Sequence, residues 1–177
     1  MSPLITSEIV VAYSHCPRKA FLLLFTEEEG RSHEHLQLLE QEKVSNREKH
    51  INLLKQKVFG LKSSYIGSTE QDSNFLINTT LQSNVLEVHC DVLTKVAGTS
   101  SLGAYTYEPT IFTGLYRPGK EQELELFFIG HVLEKVQGKL PIIGTVIDMG
   151  GISHKIKLEN STSSLNQILV VCQSSLE

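Results

Sequence analysis

An α+β fold is what this sequence of 177 residues predicts, and three observations carry the expectation. Apolar residues recur at helical spacing through roughly the first sixty positions, short runs rich in β-branched residues follow, and one amphipathic helix interrupts those runs. Antiparallel-type strands with a single interposed helix differ from the regular strand–helix alternation of a doubly wound sheet. The length suits one domain over 1–177, with a helical part over 1–60 and a sheet-plus-helix core over 61–177.

Ser7 opens an apolar pattern through Ile9, Val10 and Tyr13, with Glu8 where a carboxylate suits the helix dipole. Pro17 stops that helix after Cys16, and Arg18 to Phe25 begins another. Ser32 to Phe59 reads as one long charged helix, with Leu36, Leu39, Val44, Ile51, Leu54 and Val58 recurring at roughly three- and four-residue steps and Gly60 as its stop. Phe75 to Leu81 and Val85 to Val96 have strand composition around a Gln82-Ser83-Asn84 turn. Strict alternation in the second run places Val85, Glu87, His89, Asp91 and Leu93 on one side. Gly98 to Gly103 reads as a loop, and Ala104 to Thr113 as a third strand that Pro109 makes irregular. Lys120 to Gly138 is an amphipathic helix closed by its glycine, with Pro141 just beyond. Ile142 to Asp148 and Ile152 to Leu158 form a hairpin over Met149-Gly150-Gly151, and Ser163 to Val171 is a short helix or a strand.

Composition excludes several function classes. A 40% hydrophobic, 20% charged chain is neither disordered nor membrane-embedded, and its longest early apolar run, Phe21 to Phe25, is far too short to span a bilayer. Three separated cysteines with no CxxC pair argue against a zinc site and a disulfide framework, so a reduced, cytoplasmic protein is expected. A net charge of -4 excludes a wholly basic surface. Locally, however, Lys43, Arg47, Lys49, Lys55, Lys57 and Lys62 face only Glu48 between positions 43 and 62, a pattern suited either to a phosphate backbone or to a solvated helix face. Neither Gly-rich loop matches a phosphate-cradling fingerprint, and no GxSxG elbow exists.

Three residues stand out as candidates for chemistry: His50 late in the long helix, Asp91 within a strand and Glu108 on the next strand. Strand carboxylates seat Mg²⁺ or Mn²⁺ because hard cations take oxygen ligands and leave positions for phosphate and water. The plainer alternative makes Asp91 a polar residue on a sheet face and Glu108 a surface charge.

The opening Leu4-Ile5-Thr6, with Tyr13, Cys16-Pro17-Arg18-Lys19 and Phe21-Leu22, resembles the N-terminus of RecB-like nucleases of the PD-(D/E)XK superfamily. His50 resembles that family's helix histidine, CDVLTKV its strand aspartate motif through Asp91, SLGAYTYEPTIF the following strand, and LFFIGHVLEKVQGKLP the helix that ends in a QG-x-x-P turn. The likeness runs from about Leu4 to Leu158. It implies a restriction-endonuclease-like core, a mixed central sheet flanked by helices, with His50, Asp91 and Glu108 as metal ligands and Asp91 and Glu108 as catalytic acids. Mg²⁺ or Mn²⁺ would be the cofactor, phosphodiester hydrolysis the reaction and DNA the partner, held by Arg18, Lys19, Lys43, Arg47, Lys49, Lys55 and Lys57.

The chain departs from the family pattern at several points. Aligning Tyr107 with the family tyrosine puts Ile111 at the motif acid and Thr113 at the motif lysine, whereas taking Glu108 as the acid puts Thr110 at the lysine. The helix motif Q-x-x-x-Y falls on Glu125 and Ile129. Lys95, four residues beyond Asp91, would share its sheet face about 13 Å along the strand. With only Cys172 near the C-terminus, no iron–sulfur cluster is expected. The expectations are therefore a divergent, weak or inactive nuclease domain, or a non-catalytic module that binds DNA or a protein partner, or a remnant of a longer nuclease or mobile-element protein.

Overall fold

A computed structural model describes residues 3–26, 33–57 and 74–174. The chain starts with two nine-residue helices, α1 (Ser7–His15) and α2 (Pro17–Phe25). Cys16 between them is extended (φ -158°, ψ 112°), and Pro17 takes the first turn of α2, where its missing N–H costs nothing. The long charged helix α3 (Glu34–Lys57) follows; the expected stop at Gly60 lies outside the described residues.

Three antiparallel strands come next: β1 (Phe75–Ser83), β2 (Leu86–Ser100) and β3 (Gly103–Phe112). Helix α4 (Lys120–Gln137) then returns the chain so that β4 (Ile143–Ile147) lies parallel to β3, and β5 (Ser153–Lys157) pairs antiparallel with β4. A 3₁₀ turn (Leu158–Ser161) leads into α5 (Thr162–Ser174). The architecture is α+β, a five-stranded mixed sheet in the order β1-β2-β3-β4-β5 flanked by helices. None of the described helices is long and apolar enough to cross a membrane.

The main core lies on the sheet face covered by α4, α1 and α5, where Val88, Cys90, Leu93, Ile111 and Val146 meet Leu126, Phe128, Ile129, Val132 and Leu165. On the other face a smaller cluster of Val92 and Phe112, with Phe75, Ile77 and Ile147, receives Ile51 and Leu54 of α3. Gly138 ends α4 in the left-handed conformation (φ 68°), where a side chain would be strained.

Several details differ from the sequence reading. The first hairpin turns at Asn84-Val85, with Asn84 at φ 54°, whereas Gln82 and Ser83 of the expected turn belong to β1. Residues 98–103 are mostly strand, because β2 runs on to Ser100 and only Ser101 and Leu102 make the turn. The tail resolves as helix α5.

The strict alternation assigned to β2 also breaks. Cys90 and Leu93 pack in the main core while Val92 packs against α3, so Asp91 and Val92 turn consecutively toward the α3 side. Asn78, opposite Asp91 on β1, sits at φ 54° and marks the same irregularity. The register of β1 on β2 is unchanged through this point, so the break re-aims side chains without inserting a residue. Lys95 then falls on the opposite face from Asp91, paired with Tyr107 and with its ammonium 4.1 Å from the Tyr105 ring centre.

Candidate functional site

Helix α3 brings its polar inner side to the sheet, and that side gathers most of the candidate residues. Lys43, Asn46, Arg47 and His50 recur at three- and four-residue steps, which puts them on one helical stripe. Each has a partner on a different element.

Asn46 is buried, and its Nδ2 donates to the carbonyl oxygens of Thr113 (2.9 Å), Ile147 (3.2 Å) and Asp148 (3.0 Å). One amide therefore ties α3 to the ends of β3 and β4, giving the Thr113 carbonyl its donor and adding to the Ile147 and Asp148 carbonyls, which also accept from the Thr113 and Gly151 N–H groups. Gly114 completes this seat: a Cβ there would stand 2.4 Å from the Leu39 carbonyl oxygen, so only glycine lets the chain pass so close to α3.

Arg47 reaches the irregular stretch of β1 and β2. Its Nε donates to Asp91 Oδ1 at 2.5 Å, and its Nη2 donates to Asn78 Oδ1. The Asp91 carboxylate is nearly buried, so a cation beside it offsets the cost of removing its charge from water. Lys43 lies 3.9 Å from the Glu125 carboxylate of α4. Burial holds the Glu125 carboxyl above the ordinary carboxylate range; Lys43 opposes that shift, and the nearby Asp91 charge adds to it. Burial is also the main cause that raises the neighbouring Cys90 thiol, with Asp91 and Glu125 contributing, so this cysteine is an inert thiol.

His50 does not join Asp91. Its ring stacks on Phe112 (5.7 Å between centres, 28° between planes) and abuts Gly151 in the β4–β5 turn, where a Cβ would come within 3.4 Å of Cε1 and Nε2. Burial, helped by the Lys49 charge, holds this imidazole below its ordinary pKa. Glu108 pairs across the ladder with Thr94, three residues beyond Asp91 on β2 and so about 10 Å along the strand. Burial raises its carboxyl pKa, against a hydrogen bond from the Ile143 backbone and the charge of Lys155.

One divalent ion needs its ligands converging at about 2.0 to 2.6 Å. His50, Asp91 and Glu108 have three separate sets of neighbours. Among the described residues no group of three His, Cys, Asp or Glu side chains could hold a metal. Ile111 and Thr113 are both buried.

Of the residues assigned to DNA contact, Lys43 and Arg47 turn inward to carboxylates. Arg18 and Lys19 on α2, and Lys49 and Lys55 on α3, are exposed; the side chain of Lys57 and the whole of Lys62 lie outside the described residues.

Sequence reasoning missed two polar clusters. At the end of β4, the buried Asp148 carboxylate accepts from the Ile152 backbone N–H through Oδ1 (2.8 Å) and contacts His154 Nε2 through Oδ2 (2.8 Å). The His154 contact is the largest influence holding the Asp148 carboxyl below its ordinary pKa. The only sequence signal was an acid before a Gly-Gly turn, the ordinary signature of an Asx-type turn. At the end of α4, the fully buried Gln137 accepts from Tyr107 N–H (2.8 Å) and donates to the Lys139 carbonyl (2.9 Å) and the Tyr107 carbonyl (3.4 Å), so one side chain stands where β3 has no strand neighbour. The QG-x-x-P pattern marked this glutamine but not its partner.

No model of a known protein family matches this chain, and the search of curated proteins finds no match.

Proposed function

We propose that this chain is a non-catalytic nucleic-acid-binding module built on a divergent, restriction-endonuclease-like scaffold of the RecB nuclease type. The observation that carries the reading is the engagement of Asp91: the carboxylate that cutting chemistry would need accepts from Arg47, and Asn78 shares the same guanidinium. A resident guanidinium supplies the positive charge a metal ion would bring, but has no open coordination position for phosphate or water. Exposed Arg18, Lys19, Lys49 and Lys55 support DNA as the ligand through phosphate contacts.

The test uses the whole chain with labelled single- and double-stranded DNA in Mg²⁺ or Mn²⁺. The reading expects binding that weakens with salt and no cleavage. Replacing Lys49 and Lys55 together with Glu should lower affinity about tenfold or more and flatten the log–log salt slope by roughly two phosphate contacts. The competing reading, a metal-dependent deoxyribonuclease, requires Arg47 to leave Asp91. Cleavage that depends on Mg²⁺ or Mn²⁺ and disappears in Asp91→Ala would establish it and overturn ours.

A further inference from the structure

The connection from β3 to α4, residues 113–119, carries the most exposed large hydrophobic side chain among the described residues. Tyr116 is 72% accessible, and Arg117 beside it is exposed, as is Lys120 at the start of α4. The chain that carries this ring is held at several points. Asn46 donates to the Thr113 carbonyl (2.9 Å), and the Leu115 N–H donates to Thr113 Oγ1 (3.2 Å). The Met149 N–H donates to the Leu115 carbonyl (2.9 Å), Gly114 lies against the α3 backbone, and the Gly119 N–H donates to Gln122 Oε1 (2.9 Å).

Neither Arg117 nor Lys120 enters an ion pair among the described residues. Of the two acids in the first turn of α4, Glu121 is engaged by His15 Nε2 (2.9 Å) and Glu123 is exposed. Two unpaired cations therefore lie within a chain span of at most about 14 Å of an outward tyrosine. A ring that stacks a base, beside cations that meet phosphate, is the recognition chemistry of an unpaired strand. A duplex hides its base faces and offers the ring nothing to stack on.

Resting on the binding function proposed above, we infer that Tyr116, with Arg117 and Lys120, is a stacking platform for single-stranded nucleic acid on the braced β3–α4 connection. Tyr116 takes one base face, and the two cations take the flanking phosphates.

Anisotropy titrations of the full chain with fluorescein-labelled dT20, rU20 and a 20-base-pair DNA duplex test the inference. The variants are Tyr116→Ala, Tyr116→Phe, Arg117→Ala/Lys120→Ala and Lys49→Ala/Lys55→Ala. Expected are tighter binding of the single strands than of the duplex and a loss of about tenfold in single-strand affinity for Tyr116→Ala, with Tyr116→Phe retaining wild-type affinity. For Arg117→Ala/Lys120→Ala the salt slope should flatten by roughly one to two phosphate contacts. The two single strands tell DNA from RNA as the source of the same chemistry. If Tyr116→Ala binds dT20 and rU20 like wild type while Lys49→Ala/Lys55→Ala binds weakly, the platform is overturned and the wider binding function stands. If the folded wild type binds none of the three probes, both are overturned.

Discussion

Asn46 and Arg47 are adjacent in sequence and do different work. Asn46 serves three carbonyls with one amide; on truncation Ile147 keeps the Thr113 N–H and Asp148 keeps the Gly151 N–H, so the buried Thr113 carbonyl is the acceptor that loses its donor. Asn46→Ala should cost about 2–3 kcal/mol by urea denaturation, with an unchanged m-value. Arg47 neutralises Asp91, so the two should be coupled. In a double-mutant cycle Arg47→Ala and Asp91→Ala should each destabilise, and the double variant should be less unstable than their sum by about 1–2 kcal/mol. Additivity would show that the pair contributes nothing as a pair. Neither partnership was readable from the sequence. The basic stretch was visible, but which of its cations turn inward depends on how α3 is rotated against the sheet. The local irregularity that turns both Asp91 and Val92 toward α3 breaks the period-two pattern on which the reading of its face relied.

At the scale of elements, α3 is the helix whose docking is least like that of the others. Ile51 and Leu54 meet the small cluster on the sheet, while the rest of its seat is polar: Lys43 to Glu125, Asn46 to the strand ends and Arg47 to Asp91. The close pass at Gly114 fixes its height above the β3–α4 connection. Gly114→Ala must push the helix away or move the connection, and a loss of about 2–4 kcal/mol in thermal or urea unfolding is expected. Wild-type stability in that variant would mean that α3 does not rest there. The presence of α3 and α4 was legible from apolar periodicity and closing glycines, and the β4–β5 hairpin from its Gly-Gly turn. The ends of β1 and β2 were less so, since Gly98 and the serines after it look like loop while long-range pairing with β3 carries the strand through them.

For the whole molecule, class and strand content followed from patterning, whereas the parallel pairing of β3 with β4 is a consequence of the α4 crossover that local sequence does not announce. Acid should expose how the polar clusters are used. The His50 imidazole is held below its ordinary pKa, so unfolded chains bind its proton first, and the stability it contributes above about pH 6.5 is lost as pH falls through its folded value. Glu108 and Glu125, raised by burial, act in the opposite direction: protonation relieves them, so their contribution is greatest below the ordinary carboxylate range and lost as pH rises. Asp148, depressed by His154, stabilises above its ordinary range and loses that contribution in stronger acid. His50→Gln should therefore lose less Tm than wild type between pH 7 and roughly pH 5.5, as measured by circular dichroism melts. The claim on which the functional account turns is that Asp91 anchors α3 through Arg47 instead of holding a metal ion. Melting the wild type and Asp91→Ala in EDTA and in excess Mn²⁺ tests it most directly, because an ion bound to the native state alone raises Tm. The account predicts a wild-type Tm indifferent to Mn²⁺ and a lower, equally indifferent Tm for the variant; a Mn²⁺-dependent rise in the wild type that vanishes in Asp91→Ala would contradict it.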